Sequence, residues 1–261
     1  MRAQSRPGLF LPLLVALAAA AWSVLCLWES SPYGRYLHAA DWSGSGLLED
    51  LCRTVPGGAV LVPALAHAFA WVLMIVAMML PTTLPLLHAF RRATGHRRDA
   101  RRLLAWLLAG YGLAWTAFGL LVHAADAGLH ALVATNGWLL CHAGEVGAAT
   151  LLVAGAYQFT SLKYRCLDKC RSPLIFFAEH WRGREARRES LVLGAAHGAF
   201  CVGCCWALML LMFAVGAGSV GWMLALAAVM AAEKNLPWGR RLAAPLGALL
   251  LAWGGALLLV A

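Results

Sequence analysis

Charge is what this sequence most lacks: Asp, Glu, Lys and Arg make up only 13% of its 261 residues. Soluble domains carry about a quarter. The deficit is concentrated in long, nearly charge-free runs, which excludes disorder, a collagen-like chain and a small disulfide scaffold. Also missing are a phosphate-cradling glycine loop, a metalloprotease helix and a serine-nucleophile turn, so ATP-driven transport by this chain alone is not expected. Acidic residues are few, 12 against 21 Lys and Arg. In a soluble protein a net charge of +9 would point to nucleic acid. Here the distribution of the cations gives it another meaning.

A membrane span needs about 20 mostly apolar residues. Seven segments qualify: about 8–28, 61–84, 103–124, 144–161, 191–213, 219–236 and 242–260. Arg2 and Arg6 before the first give it the look of a signal peptide. Its length, and Trp22 and Trp28 near its end, favour a true span with an interfacial anchor. With the N-terminus inside, every Lys and Arg except Arg35 and Arg53 falls in the cytoplasm, as the positive-inside rule asks. A six-span count, with the fifth and sixth merged, would move Arg240 and Arg241 outside. The expectation is therefore an all-α polytopic bundle of seven spans, N-in and C-out. Residues 1–261 form a single integral membrane domain, because no loop is large enough for a second. Its partner is the lipid bilayer, and no nucleic acid is needed to explain the charge.

The chemistry-bearing residues are mainly sulfurs. Of eight cysteines, Cys52 and Cys141 face the outer, oxidising side in this topology and could pair, whereas Cys166 and Cys170 face a reducing one. Three more lie within five residues of span five, in His197-Gly-Ala-Phe-Cys201-Val-Gly-Cys204-Cys205-Trp206. On a helix turning about 100° per residue, Cys201, Cys204 and Cys205 fall at about 40°, −20° and 80° from His197. Gly194 and Gly198 share that side, and such small residues let a second helix approach. Clustered thiol and imidazole ligands suit Cu(I) or Zn(II), and soft sulfur suits Cu(I) especially. The competing reading is that cysteine packs as a small apolar residue.

In span two, His67, Trp71, Met74 and Met78 form one stripe with Met79 to its side, at a depth comparable to His197 and Cys201. In span six, Met223 and Met230 share a face with Lys234. Alone these would be helix packing; beside the cysteines they are candidate thioether ligands. Cys166 and Cys170 stand one helical turn apart at the cytoplasmic mouth, where Lys163, Lys169 and Arg171 would favour thiolate or serve simply as a positive-inside anchor. Glu233-Lys234 reads either as a cation or proton site or as a snorkelling interfacial pair. His123, His130 and His142, with Cys141, are either an outer metal collector or scattered surface residues.

Three ordered motifs carry a family resemblance: Trp71-x2-Met74-x3-Met78-Met79-x-Pro81; then Tyr157-Gln158 followed by Leu162-Lys163-x2-Cys166-Leu-x2-Cys170-Arg171-x-Pro173; then Gly198-x2-Cys201-x-Gly203-Cys204-Cys205-Trp206-x-Leu208-Met209, with Glu233-Lys234 beyond. Over roughly 71–241 the sequence resembles a bacterial family described as predicted metal-binding integral membrane proteins, sometimes labelled copper chaperones. The resemblance implies a multi-pass protein of the bacterial inner membrane, with those Cys and Met positions as ligands. Two positions depart from the family pattern. Ser161 stands where a proline is usual, which would loosen the helix end at the mouth, and Gly218-Ser219 stand in place of a Met-Asn pair.

The leading expectation is a protein that handles Cu(I), with zinc the other candidate. It would bind through Cys201, Cys204, Cys205, His197 and the span-two methionines Met74, Met78 and Met79, with Cys166 and Cys170 as a transfer station. The metal would cross the membrane or pass to a cuproenzyme under assembly or another copper chaperone. Two alternatives stand beside it: an intramembrane thiol oxidoreductase cycling Cys201-x-x-Cys204, and a non-catalytic accessory subunit of a membrane oxidase complex.

Overall fold

The computed structural model describes residues 10–29, 68–135, 143–214 and 220–260. Cys52, Cys141, His67, His142, Gly218-Ser219 and the outer loop from 30 to 60 lie outside the described residues, and so does the side chain of His130. Everything regular within them is helical. In chain order the helices are α1 (Phe10–Glu29), α2 (Ala68–Met79), α3 (Leu84–Thr94), α4 (Ala100–Thr135), α5 (Ala143–Tyr157), α6 (Ser161–Arg171), α7 (Pro173–His180), α8 (Ala186–Ala214), α9 (Val220–Asn235) and α10 (Ala243–Val260).

Among the described residues, three helical segments are long and apolar enough to cross a membrane: Ala100–Leu129, Ala186–Met212 and Gly239–Leu259. A fourth arises if Ala68–Met79 and Pro81–Thr94 count as one broken span. The remaining apolar helices are shorter.

The most extensive pairing joins α4 and α8. It depends on glycine. A Cβ on Gly194 would collide with the Leu107 carbonyl, one on Gly110 with the Leu191 carbonyl, and one on Gly198 would lie 2.8 Å from Ala114 Cβ. The Gly194-x3-Gly198 face is thus the face against which α4 lies. Residue numbers rise together along the contact, so the two helices run parallel, as spans three and five of the expected alternation do. By contrast α5 and α10 run antiparallel, with Gly155 against Leu251 and Gly254 against Ala148.

Span two differs most from expectation. The apolar run 61–84 reads as one helix, but the structure bends it by 46° between Met79 and Pro81. Proline has no N–H to continue the ladder. The chain responds with a π-helical turn over Ile75–Met79, closed by Leu80 N–H to the Ile75 carbonyl at 3.0 Å, and then a 3-10 turn over Pro81–Thr83. Pro85 removes a second donor. Thr82 and Thr83 repair part of the deficit by donating to the carbonyls of Met79 and Leu80, each at 2.8 Å. The widened turn shifts the side-chain register, so that Met74, Met78 and Met79 are all buried.

The substitution at Ser161 does not loosen its helix. Thr160 caps α6, its hydroxyl accepting from Lys163 N–H at 3.3 Å, a bond that does not need the proline.

Gly194→Ala is expected to lower stability by about 1–3 kcal/mol through forced separation of α4 and α8. Gly112→Ala on α4 has open space around its added methyl and should be neutral or slightly stabilising. Thermal unfolding in detergent checks the pair, and equal effects at both sites would refute the close-packing account.

Candidate metal centre

The helical face anticipated for α8 does turn inward. Cys201, Cys204 and Cys205 are all buried in the larger of two apolar clusters, together with Met74, Met78, Met79, Met209, Met223 and Met230. Cys204 and Cys205 donate their thiols back to the Cys201 carbonyl, at 3.1 and 2.9 Å. These bonds hold both side chains on the turn that begins at Cys201.

Helix α6 brings the other two cysteines to the same place. Cys170 Sγ lies 4.0 Å from Cys204 Sγ. Cys166 lies over Gly203, where a Cβ would stand 2.6 Å from the Cys166 sulfur. Gly203 therefore keeps open the space that the Cys166 thiol fills. The Tyr157 hydroxyl donates to the Gly203 carbonyl and packs edge-on against Trp206, with ring centroids 4.9 Å apart.

At the centre stands Lys234, for which the sequence left an interfacial and an ion-site reading open. Lys234 Nζ donates to Cys201 Sγ at 2.9 Å and lies 3.7 Å from Met79 Sδ and 3.9 Å from Cys205 Sγ. It is only 6% exposed and Glu233 only 2%, so neither side chain snorkels. Tyr111 of α4 closes the site with its hydroxyl 3.2 Å from Cys201 Sγ. An ammonium from α9 thus sits where two thiols of α8 and a thioether of α2 converge. Among the described residues no group of three Cys, His, Asp or Glu side chains is spaced to hold a metal ion; the third sulfur at this point belongs to a methionine.

Glu233 faces the other way. Its carboxylate accepts from Lys163 Nζ at 2.8 and 2.9 Å, and Gln158 Oε1 accepts from the same ammonium. Lys163 is fully buried. The basic residues expected to acidify Cys166 and Cys170 are engaged elsewhere. Lys163 belongs to Glu233, Lys169 pairs with Glu179 at 2.7 Å, and the Arg171 guanidinium donates to the carbonyls of Glu233 and Pro237. Burial pushes the Cys166 thiol above its usual range, opposite to the shift that flanking cations would cause.

The other candidates fall at varied distances from this centre. Met79 reaches the ammonium, and Met74 and Met78 pack in the same cluster. The His197 ring lies between Tyr111 and Phe176, with centroids at 6.0 and 5.4 Å, and its buried Nδ1 has no hydrogen-bond partner among the described residues.

The centre thus gathers thiol and thioether sulfur from α8 and α2 around an ammonium from α9. The family model PpoB2, described as copper chaperone, matches residues 68–257. The chain belongs to this copper-chaperone family. The family region runs from the start of α2 into α10 and contains every residue of the sulfur cluster. No match was found among curated proteins, and none among solved structures.

Reasoning from sequence missed Tyr111, put Lys163 at the cytoplasmic mouth beside Cys166 and Cys170, and left Lys234 open between an ion site and an interfacial anchor. The available signal was Gln158, Lys163, Glu233 and Lys234 themselves, four polar residues inside or beside apolar runs.

Lys163→Met, which leaves the Glu233 carboxylate buried without its cation, should cost about 3–5 kcal/mol, and combining it with Glu233→Leu should restore most of the loss. Thermal shifts of the single and double variants measure this, and additive losses would contradict the pairing.

Proposed function

We propose that this member of the copper-chaperone family is a multi-pass membrane protein that binds Cu(I) inside its helical bundle and hands it on. The observation that carries the reading is the convergence of Cys201, Cys205 and Met79 on one buried cation. Thiol and thioether sulfur is the donor class preferred by Cu(I), and the ammonium marks a point that already accommodates positive charge. Cys204, Cys170 and Cys166 continue the sulfurs from this point toward the end of α6, an arrangement suited to stepwise exchange between the centre and a transfer station at the cytoplasmic mouth. Met74, Met78 and His197 stand close enough in the fold to join the ligand set after modest rearrangement, and the unpartnered His197 Nδ1 is a donor atom left over by the packing.

The reading includes seven spans with the N-terminus inside, in the bacterial inner membrane. Its supports are the one-sided distribution of Lys and Arg and the large apolar side chains turned outward, among them Leu13, Leu113, Leu121 and Leu249, which a water-facing surface would not group. The acceptor is a cuproenzyme under assembly or a further copper carrier. The thiol-redox alternative keeps one specific support, the 4.0 Å approach of Cys170 to Cys204. That approach would make these two the exchanging pair in place of Cys201 and Cys204.

Protein purified anaerobically under reducing conditions should carry near-stoichiometric copper by elemental mass spectrometry, or take it up from a Cu(I) donor. Changing Cys201 and Cys204 together to Ser should abolish this while the circular dichroism spectrum stays helical. Full copper retention in that variant would sink the site assignment. A metal-free protein with an oxidisable Cys170–Cys204 pair would favour thiol redox instead.

A further inference from the structure

The placement of Lys234 is unusual for a buried ammonium. Among the described residues the hydrogen-bond partners of its Nζ are sulfurs, and sulfur is a weak acceptor. Among the described residues no carboxylate forms an ion pair with it; the adjacent Glu233 is committed to Lys163 at 2.8 Å. The fold has therefore placed a positive charge against two thiols and a thioether and has directed the one nearby negative charge away from it. Such an arrangement is costly unless the sulfurs supply the balancing charge.

We propose that Lys234 matches the site to a singly charged soft metal by serving as its counter-cation, an inference that rests on the copper reading above. Two thiolates, from Cys201 and Cys205, around Cu(I) carry a net charge of −1, and the Lys234 ammonium brings the buried set to zero. Any proton still held by a thiol leaves to the buffer as its S–Cu bond forms. The same two thiolates around Zn(II) are already neutral, so Lys234 would leave an unbalanced positive charge inside the bundle, where it is penalised far more than in water. Lys234 thus disfavours divalent ions without contributing a ligand. Its four-carbon stem lets Nζ withdraw from between the sulfurs while staying beside them, so that one cation replaces another at the centre. Met79, a neutral donor, adds affinity without changing this balance.

The test compares wild-type protein with Lys234→Met and Lys234→Arg in detergent under anaerobic conditions. Cu(I) affinity is read by competition with a chromophoric Cu(I) chelator and Zn(II) affinity with a Zn(II) dye. The ratio of the two affinities should fall at least tenfold in Lys234→Met and stay within threefold of wild type in Lys234→Arg. Ag(I), soft and singly charged, should follow Cu(I) across the series. A ratio that falls less than tenfold in Lys234→Met, or that falls equally in Lys234→Arg, overturns the counter-cation role. Should Lys234→Met fail to give helical, monodisperse protein, Lys234→Gln carries the same comparison with the same thresholds. The copper reading fails separately, if folded wild-type protein takes up no Cu(I) at all; that outcome overturns both.

Discussion

One buried ion pair governs the site. Lys163 on α6 and Glu233 on α9 meet at 2.8 Å with almost no exposure to solvent. Adjacent residues on a helix point about 100° apart, so fixing Glu233 against α6 also fixes where Lys234 points. The pair orients α9 in rotation, and the result of that orientation is an ammonium among sulfurs. Arg171 reinforces it by taking up the carbonyls of Glu233 and Pro237 at the end of α9, where a helix otherwise leaves acceptors unsatisfied. Because α6 also carries Cys166 and Cys170, the element that orients the cation is the one that brings these two sulfurs to α8.

Two further constraints complete the centre. Glycine on α4 and α8 lets those helices run in backbone contact, which brings the Tyr111 hydroxyl within 3.2 Å of Cys201 Sγ. Gly203 applies the same device on the other side of α8, for a single side chain, making room for Cys166. The residues between the cysteines thus matter as much as the cysteines. Val202 and Gly203 are spacing in a motif, but in the fold Gly203 is the contact surface for α6.

The helical class and the inward face of the cysteine segment were legible in the sequence because both depend on local periodicity and composition. The glycine face of α8 was legible for the same reason. The break in α2 was not read, although Pro81 and Pro85 were in plain view: hydropathy averages over a window and treats a bent apolar run and a straight one alike. Met79 was accordingly assigned to the flank of a stripe, whereas the π-helical turn makes it the methionine that reaches the centre. The burial of Lys163 and Lys234 was not read for a different reason. A charged residue at the end of an apolar run has an interfacial reading by default, and only distant partners, unknowable from spacing, reverse it: Glu233 for Lys163, and the sulfurs of Cys201 and Met79 for Lys234. For the histidine candidates beyond the described residues no such comparison arises.

The break in α2 has a consequence for binding. Its cause is covalent: two prolines lack the donors a continuous helix would need, and the hydroxyls of Thr82 and Thr83 already occupy carbonyls that straightening would have to reclaim. No ion or partner can anneal this bend, and none is required to produce it. Met79 is therefore preorganised, and on the copper reading proposed above its capture of a metal would carry little of the entropic cost that ordering a mobile ligand adds.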